Sequence, residues 1–220
     1  MIDPTICDRC GELDRSLTRA PGPVTALRCG HCHADRPFRC LPLLCLTGPS
    51  GVGKSTVAAA VARLLHQRVI TLEQDVLWEP RLAHQTGGVR AFRARWLRLA
   101  AMIGQNGRPV LLCGTVVPEE LEPLPERALF SAIHYLALDA ADEVLANRLR
   151  ARPAWRGWDE DRIEEMLRFA RDLRRRAGDA SRPAETLHGL ATDGRQLEVV
   201  AQDVVRWVLP LALEAAPDAS

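Results

Sequence analysis

The chain has 220 residues, a length that suits one α/β domain with a small appendage. Hydrophobic residues make up 47% of it, enough for a sizeable core, and the net charge of +1 gives no general reason to expect nucleic-acid or membrane binding. Apolar runs are shorter than the roughly 18 residues of a membrane span, and the N-terminus does not resemble a signal peptide. The sequence therefore predicts a cytoplasmic protein without a membrane partner.

The first feature along the chain is a cysteine cluster, in which Cys7 and Cys10 form one C-x₂-C pair and Cys29 and Cys32 form another. The spacing between the pairs matches four-cysteine zinc sites. Four thiolates close a tetrahedral Zn²⁺ site with no open position, so the predicted role of the metal is structural. The segment is too short to build its own core, and the metal would supply its folding energy. It resembles a zinc ribbon, and we assign residues 1–38 to it.

Other interpretations of this cluster remain open. The pairs could be redox-active or hold an iron–sulfur centre, and His31 or His33 could replace one ligand. The arginines of the segment could dock nucleic acid or a protein, but we favour a structural cap. Cys40, Cys45 and Cys113 are expected to be core residues.

A nucleotide-binding loop follows, in the run Gly48-Pro-Ser-Gly-Val-Gly-Lys-Ser55, which matches G-x-x-x-x-G-K-[ST]. Lys54 is the only lysine of the chain, whose other strongly basic residues are all arginines. An apolar run over 41–47 predicts a buried strand before the loop, and helical spacing from Val57 to Leu65 predicts a helix after it. Lys54 is expected to neutralise the β- and γ-phosphates of ATP, and the Ser55 hydroxyl to bind Mg²⁺.

Four further strands are predicted, over 69–72, 109–113, 132–138 and 184–188. Asp75 follows the first of them and can meet an acceptor hydroxyl or Mg²⁺ there, or simply cap a helix. The strand at 109–113 ends at Cys113 without the acidic residue that holds Mg²⁺ in many P-loop ATPases and GTPases. A motor or switch GTPase is therefore disfavoured.

A helix predicted after the strand at 132–138 carries Arg148 and Arg152. They are four residues apart, so both lie on one face, and Arg156 follows in a loop. Three arginines that converge on a phosphate site would clamp the transferred group and stabilise its charge. The alternative is a solvated basic face, paired with the acidic residues between 159 and 165.

Together the loop over 48–56, the acidic strand end at 73–75 and the arginines over 148–156 resemble the small P-loop nucleoside/nucleotide kinase-like superfamily, across residues 41–210. The short lid is similar to gluconate, shikimate or chloramphenicol kinase-like members. The resemblance implies a three-layer α/β fold, with a parallel sheet between helices, in addition to the zinc ribbon. It also implies ATP at the loop, arginines from a lid, and Asp75 as the acceptor-side carboxylate that orients or deprotonates the acceptor.

We predict an ATP-dependent, Mg²⁺-requiring kinase domain over 39–214 and a disordered tail over 215–220, with a small-molecule acceptor. Two alternatives remain: a nucleic-acid end kinase that uses the ribbon for binding, and a regulatory ATP-binding protein with little transfer activity. The predicted catalytic residues are Lys54, Asp75, Arg148 and Arg152. The predicted nucleotide-binding residues are Gly48, Ser50, Gly51, Val52, Gly53, Lys54, Ser55, Thr56, Arg148, Arg152 and Arg156. The predicted acceptor-binding residues are Asp75, Trp78, Arg95 and Arg127.

Overall fold

The computed structural model describes residues 3–21, 25–178 and 187–213. An N-terminal antiparallel sheet has three strands in the order β1-β2-β3, which span Thr18–Arg19, Ala26–Arg28 and Asp35–Pro37. The second sheet is parallel and has five strands in the order β5-β6-β4-β7-β8. They span Leu43–Thr47 (β4), Ile70–Glu73 (β5), Val110–Cys113 (β6), Ile133–Asp139 (β7) and Leu187–Ala191 (β8).

Six helices connect and cover the strands of the described residues: Lys54–Leu65 (α1), Gly88–Gly104 (α2), Pro118–Leu121 (α3), Asp142–Arg150 (α4), Glu160–Ala177 (α5) and Leu197–Leu213 (α6). The predicted three-layer P-loop fold is confirmed, and a described strand lies at each predicted position. For the last of them, predicted over 184–188, residues 184–186 lie outside the described part of the chain, and β8 is described over Leu187–Ala191. No helix in the described ranges is long and apolar enough to cross a membrane.

Both faces of the parallel sheet are buried, because β4 and its neighbours send alternate side chains to opposite sides. Leu44 and Leu46 pack with α1, α4, α5 and α6, whereas Leu43 and Cys45 pack with α2 and α3. This burial explains why β4 is apolar at every position except its last residue, Thr47. The sheet therefore lies between two helical layers, and its carboxyl edge is left to the connecting loops.

The N-terminal segment, the predicted zinc ribbon, packs against the amino edge of the parallel sheet. Leu17, Leu27 and Phe38 are buried in the same apolar cluster as α2. Arg19 Nε donates a hydrogen bond of 2.7 Å to the carbonyl oxygen of Ala128, which lies in the segment that leads into the amino end of β7. The boundary near residue 38 stays a prediction, and the predicted tail over 215–220 lies outside the described residues.

Candidate active site

A cavity of about 920 Å³ opens at the carboxyl edge of the parallel sheet, beside the loop that joins β4 to α1. In the sheet, β5 and β6 lie on one side of β4, whereas β7 and β8, which come later in the chain, lie on its other side. Ligands of open α/β sheets bind where the strand order reverses in this way. The cavity thus lies where this topology places a ligand, at the opposite edge from the N-terminal segment.

The loop after β4 has a backbone that requires glycine. Gly48 has a φ of 137° and Gly53 a φ of 102°, both in the region that side chains disfavour. A Cβ atom on Gly48 would also press against the carbonyl oxygen of Leu138 in β7. Seven of the predicted nucleotide-binding residues of this loop line the cavity: Ser50, Gly51, Val52, Gly53, Lys54, Ser55 and Thr56. The N-terminus of α1, with its unpaired N–H groups, faces the same space, which suits a polyphosphate.

Lys54 is folded back onto its own loop, where Nζ donates hydrogen bonds to the carbonyl oxygens of Gly48 (2.8 Å) and Pro49 (3.0 Å). Burial lowers the pKa of the Lys54 ammonium to about 8, although the nearby Asp75 and Glu73 charges oppose the shift. A bound polyphosphate would favour the charged form. Nucleotide binding and protonation of Lys54 are therefore linked.

This linkage predicts that ATP binds more weakly above pH 8. The free protein loses the Lys54 proton above a pKa of about 8, so ATP must then bind together with a proton, and the affinity should fall by up to about tenfold per pH unit. Folding responds oppositely: between about pH 8 and 10.5 this group makes the free protein more stable as the pH rises, because only the unfolded chain holds the proton. Titrations with Mg²⁺·ATP between pH 7 and 9.5 measure the effect.

The control for this titration is Lys54→Met, whose weaker ATP binding should not vary over the same range. An affinity of the unmodified protein that is the same at pH 7 and pH 9.5 would contradict the linkage.

Ser55 has a carboxylate partner that the sequence did not assign. Its hydroxyl donates a hydrogen bond to Oε2 of Glu73, the last residue of β5, at 2.8 Å. Glu73 lies beside Cys113 in the register of β5 and β6. Burial raises the pKa of the Cys113 thiol, which therefore stays neutral. A hydroxyl and a carboxylate oxygen side by side are hard ligands that suit Mg²⁺, so Glu73 offers the acidic oxygen that β6 lacks.

The acceptor side of the cavity begins with Asp75 and Trp78, which follow β5 and line the cavity as predicted. Asp75 lies in a short 3₁₀ turn over 74–77, and its carbonyl oxygen accepts a hydrogen bond from the Trp78 amide at 3.1 Å. The Trp78 ring packs edge-on against Phe92 of α2, with ring centroids 5.2 Å apart. The turn holds the backbone of Asp75 at the edge of the cavity, and the ring contact holds the Trp78 side chain there.

A buried polar cluster supports this turn from behind. Gln74 is 3% exposed and Arg93 of α2 is 7% exposed, and they hydrogen-bond to each other. Arg93 also donates to the carbonyl oxygen of Thr115 at 2.6 Å and forms an ion pair of 2.8 Å with Glu120. A Cβ atom on Gly114 would overlap the Gln74 side chain, so glycine is needed there. Arg93 therefore holds the ends of β5 and β6 together instead of facing a ligand.

The lid arginines converge on the cavity, as Arg148, Arg152 and Arg156 all line it. Arg148 lies over the nucleotide-binding loop, 3.3 Å from the Gly51 carbonyl oxygen. Arg152 and Arg156 stack on Trp158 and Trp155 respectively. None of the three forms an ion pair with a carboxylate in the described part of the chain, in contrast to Arg150, Arg171 and Arg174. The solvent-exposed basic face paired with acidic residues, which was the alternative interpretation, is therefore formed by these neighbouring arginines and not by Arg148, Arg152 and Arg156.

Two predicted acceptor-binding residues do not reach the cavity, and we drop them from the site. Arg95 lies on the exposed side of α2, because Phe92 and Trp96 face the core. Arg127 lies between α3 and β7, where it pairs with Glu122 at 2.7 Å and donates to the Phe130 carbonyl oxygen. The cavity lining also includes Glu73, which the sequence named only as part of the acidic strand end, and residues that it did not single out: Thr115, Trp158, Arg162, Thr192 and Arg195.

The four cysteines of the N-terminal segment meet in one cluster at the other edge of the molecule, with all sulfurs within 4.8 Å of one another. The Sγ atoms of Cys7 and Cys32 are 3.8 Å apart, as are those of Cys10 and Cys29. Sulfurs at the corners of a tetrahedron with Zn–S bonds of about 2.3 Å are about 3.8 Å apart. Hydrogen bonds from the Cys10 and Arg9 backbone lower the pKa of Cys7 to about 6, which favours a thiolate. The cluster fits a small zinc site.

The fold and cavity define a P-loop nucleotide-binding protein built like the small kinases. The chain belongs to the AAA domain family, whose sequence model matches residues 43–174. The match spans β4 to most of α5 and so includes the loop, the acidic strand end and the lid. No curated protein matches the chain.

Solved structures confirm the resemblance to P-loop kinases at the level of the fold. A sugar kinase from a Janibacter species is 19% identical, with a TM-score of 0.55, 81% of this chain covered and 99% of that one. The APS kinase of Mycobacterium tuberculosis, in complex with AMPPNP and APS, is 19% identical, with a TM-score of 0.51 and coverages of 79% and 99%. A gluconokinase from Sinorhizobium meliloti is 19% identical, with a TM-score of 0.50 and coverages of 81% and 97%.

Proposed function

We propose that this protein is an ATP-dependent kinase that transfers the γ-phosphoryl group of ATP to a hydroxyl group of a small molecule. The observation that carries the proposal is the shared lining of one cavity. A nucleotide-binding loop, a hydroxyl–carboxylate pair, a second carboxylate and three lid arginines without acidic partners in the described residues all meet there. Phosphoryl transfer needs these parts, because its catalysis consists mainly of positioning and charge stabilisation.

In this proposal Asp75 accepts the proton of the acceptor hydroxyl as its oxygen attacks the γ-phosphorus. The bond between the γ-phosphorus and the bridging oxygen breaks, and ADP leaves with that electron pair. Lys54 turns from the Gly48 and Pro49 carbonyl oxygens to the phosphates, and Arg148 and Arg152 stabilise the charge that spreads over the transferred group. The acceptor is a separate molecule that the cavity admits beside Asp75 and Trp78.

Mg²⁺ enters the proposal as part of the Mg²⁺·ATP substrate, where it neutralises phosphate charge. Ser55 Oγ and Glu73 Oε2 would hold it, directly or through water. Their spacing of 2.8 Å suits two oxygen ligands of one small cation. This assignment extends the predicted Mg²⁺ site, which contained Ser55 alone.

The four-cysteine cluster is proposed to hold a structural Zn²⁺, which cross-links the N-terminal segment. The segment lies at the amino edge of the sheet, and the cavity opens at the carboxyl edge. A ribbon that grips nucleic acid beside the reacting phosphate is therefore not supported. A structural cap agrees with the burial of Leu17, Leu27 and Phe38 against the kinase-like domain.

Removing the metal with a chelator is predicted to lower the melting temperature by about 5 °C or more. Without the metal the segment unfolds and its apolar side chains are exposed to water. Each side chain that was fully buried then loses about 1.5–3 kcal/mol of stabilising free energy. ATP affinity should not change, because the cavity lies at the other edge of the sheet. Calorimetry and an ATP titration on the same sample measure both. Cys10→Ser should lower the melting temperature as chelation does, whereas Cys40→Ser, outside the cluster, should not. An unchanged melting temperature after metal loss would contradict the proposal that the segment is a structural cap.

The experiment that tests the function is transfer from γ-labelled ATP with Mg²⁺ to a panel of acceptors. The panel contains nucleosides, nucleoside monophosphates, sugar acids, hydroxylated antibiotics and hydroxyl-ended oligonucleotides. Label on a small acceptor, absent with Lys54→Ala, supports the proposal. Label on oligonucleotides alone would favour the end-kinase alternative. ATP binding without any transfer would favour a regulatory nucleotide-binding protein.

A further inference from the structure

The acceptor wall of the cavity contains no cation. The segment from the end of β5 to the loop after β6, residues 73–115, contributes only Glu73, Asp75, Trp78 and Thr115 to the lining. These side chains are two carboxylates, one indole and one hydroxyl. Any acceptor that reaches Asp75 must bind against this acidic and aromatic surface.

The arginines of this part of the chain are engaged elsewhere. Arg93, the one nearest to the wall, is buried and bound to Gln74, Thr115 and Glu120. The others do not line the cavity: Arg81 pairs with Glu79, Arg98 contacts Glu126, Arg108 donates to the His66 carbonyl oxygen, and Arg90 and Arg95 lie on the outer side of α2. A carboxylate or phosphate on the acceptor would therefore find no counter-charge on this wall.

The cations of the cavity come from the nucleotide-binding loop, the lid and the segment after β8. Lys54 belongs to the nucleotide-binding loop, and the guanidinium of Arg148 in α4 contacts that loop at the Gly51 carbonyl oxygen. Arg152 and Arg162 flank the Trp158 ring, and Arg195 pairs with Asp203 of α6. Because a triphosphate concentrates negative charge at the loop, we expect these groups to be used mainly in its neutralisation. Arg152 and Lys54 are close enough to Asp75 for their charges to interact with its carboxylate, so they also offset part of its charge.

The wall also has an apolar side. Trp78 is 38% exposed, and its ring meets the Phe92 ring at an interplanar angle of 82°. Val76 and Leu77, which precede it, are 75% and 48% exposed, an unusual run of apolar side chains beside a polar cavity. A flat apolar surface of this kind stacks on a planar group.

We propose that the acceptor is an uncharged or cationic hydroxylated molecule with a flat apolar face, and that acceptors with a carboxylate or phosphate group are rejected. This inference rests on the proposed function, because it takes Asp75 as the group that meets the acceptor. Rejection follows from like charge, since an anion that reaches Asp75 would be desolvated against that carboxylate while the cations of the cavity neutralise the phosphates of the nucleotide. Nucleosides, aryl glycosides and amine-bearing hydroxylated compounds satisfy this description, whereas sugar acids and nucleoside phosphates do not.

The test measures binding of matched pairs to the protein saturated with Mg²⁺ and AMPPNP. Three pairs retain a common hydroxyl and planar group but differ in charge: adenosine and adenosine 3′-monophosphate, phenyl glucoside and phenyl glucuronide, and 4-(hydroxymethyl)benzamide and 4-(hydroxymethyl)benzoate. The expected result is that at least one neutral member binds, and that its anionic partner binds about tenfold more weakly or worse. Trp78→Ala should weaken binding of the neutral member about tenfold and Trp78→Phe much less.

Equal or tighter binding of the anionic members would overturn the inference, and so would the absence of binding by every member of the three pairs. The proposed function fails in a different way. If a neutral member binds in the expected manner but γ-labelled ATP transfers nothing to it, the acceptor site is real and the protein is not a kinase for that class.

Discussion

Lys54→Ala is expected to lower kcat/KM for phosphoryl transfer by at least about a hundredfold, while the melting temperature of the free protein stays the same or rises. The ammonium is the compact charge of the nucleotide-binding loop, and its loss removes stabilisation at the γ-phosphate. Stability is kept because the ammonium of Lys54, a partly buried residue, is bound to two carbonyl oxygens of its own loop, and burial already disfavours its charged form. Steady-state kinetics and calorimetry on the same preparation measure both quantities.

A matched variant separates charge from geometry at this position. Lys54→Arg keeps a positive charge but replaces the small ammonium by a broad planar group, which does not fit a slot formed by the Gly48 and Pro49 carbonyl oxygens. It should also lose most of the activity. Near-normal transfer by Lys54→Ala would refute the central role given to this loop, whatever the arginine variant does.

Asp75→Asn is expected to lower kcat by about a hundredfold or more with little change in the KM for ATP. The amide has nearly the same shape as the carboxylate but cannot accept the proton of the acceptor hydroxyl. Glu73→Gln should act differently, because Glu73 contacts the Ser55 hydroxyl and not the acceptor. That variant should raise the Mg²⁺ concentration needed for half-maximal rate.

The control for both variants is Glu79→Gln, which removes an exposed carboxylate paired only with Arg81, four residues beyond Asp75. It should leave kcat, the KM for ATP and the Mg²⁺ requirement unchanged. If Asp75→Asn retains full kcat, Asp75 is a helix-capping or structural residue, as its alternative interpretation holds, and another group receives the proton.

Much of the fold could be predicted because its signals are local. The nucleotide-binding loop is written in consecutive residues between a buried strand and a helix, and the five strands are short apolar runs separated by helical spacing. The four cysteines are likewise identified by the spacing within and between their pairs. In each case the residues that act together are close along the chain, or belong to a motif whose spacing reflects the geometry of its ligand.

The arginines show where this kind of inference ends. Sequence position predicted that Arg148, Arg152 and Arg156 bind the nucleotide; the structure places all three in the lining of the cavity, and their role stays a prediction. Sequence position also assigned Arg95 and Arg127 to the acceptor, whereas one lies on the outer face of its helix and the other pairs with Glu122. A charged side chain has the same appearance in a sequence whether it binds a ligand, a neighbour or water.

By itself, the sequence determined the nucleotide-binding loop, the α/β class and the zinc-like cysteine set, because local spacing specifies each; the lid followed only from the family resemblance and stays a prediction. Only the tertiary structure decided that Glu73 partners Ser55, that Arg93 is buried away from the acceptor, and that the N-terminal segment lies at the far edge from the cavity. The physical reason is that these relations depend on strand register and on packing between residues distant along the chain. Glu73 reaches Ser55 because β5 ends level with Cys113 in β6, and no local pattern contains that alignment.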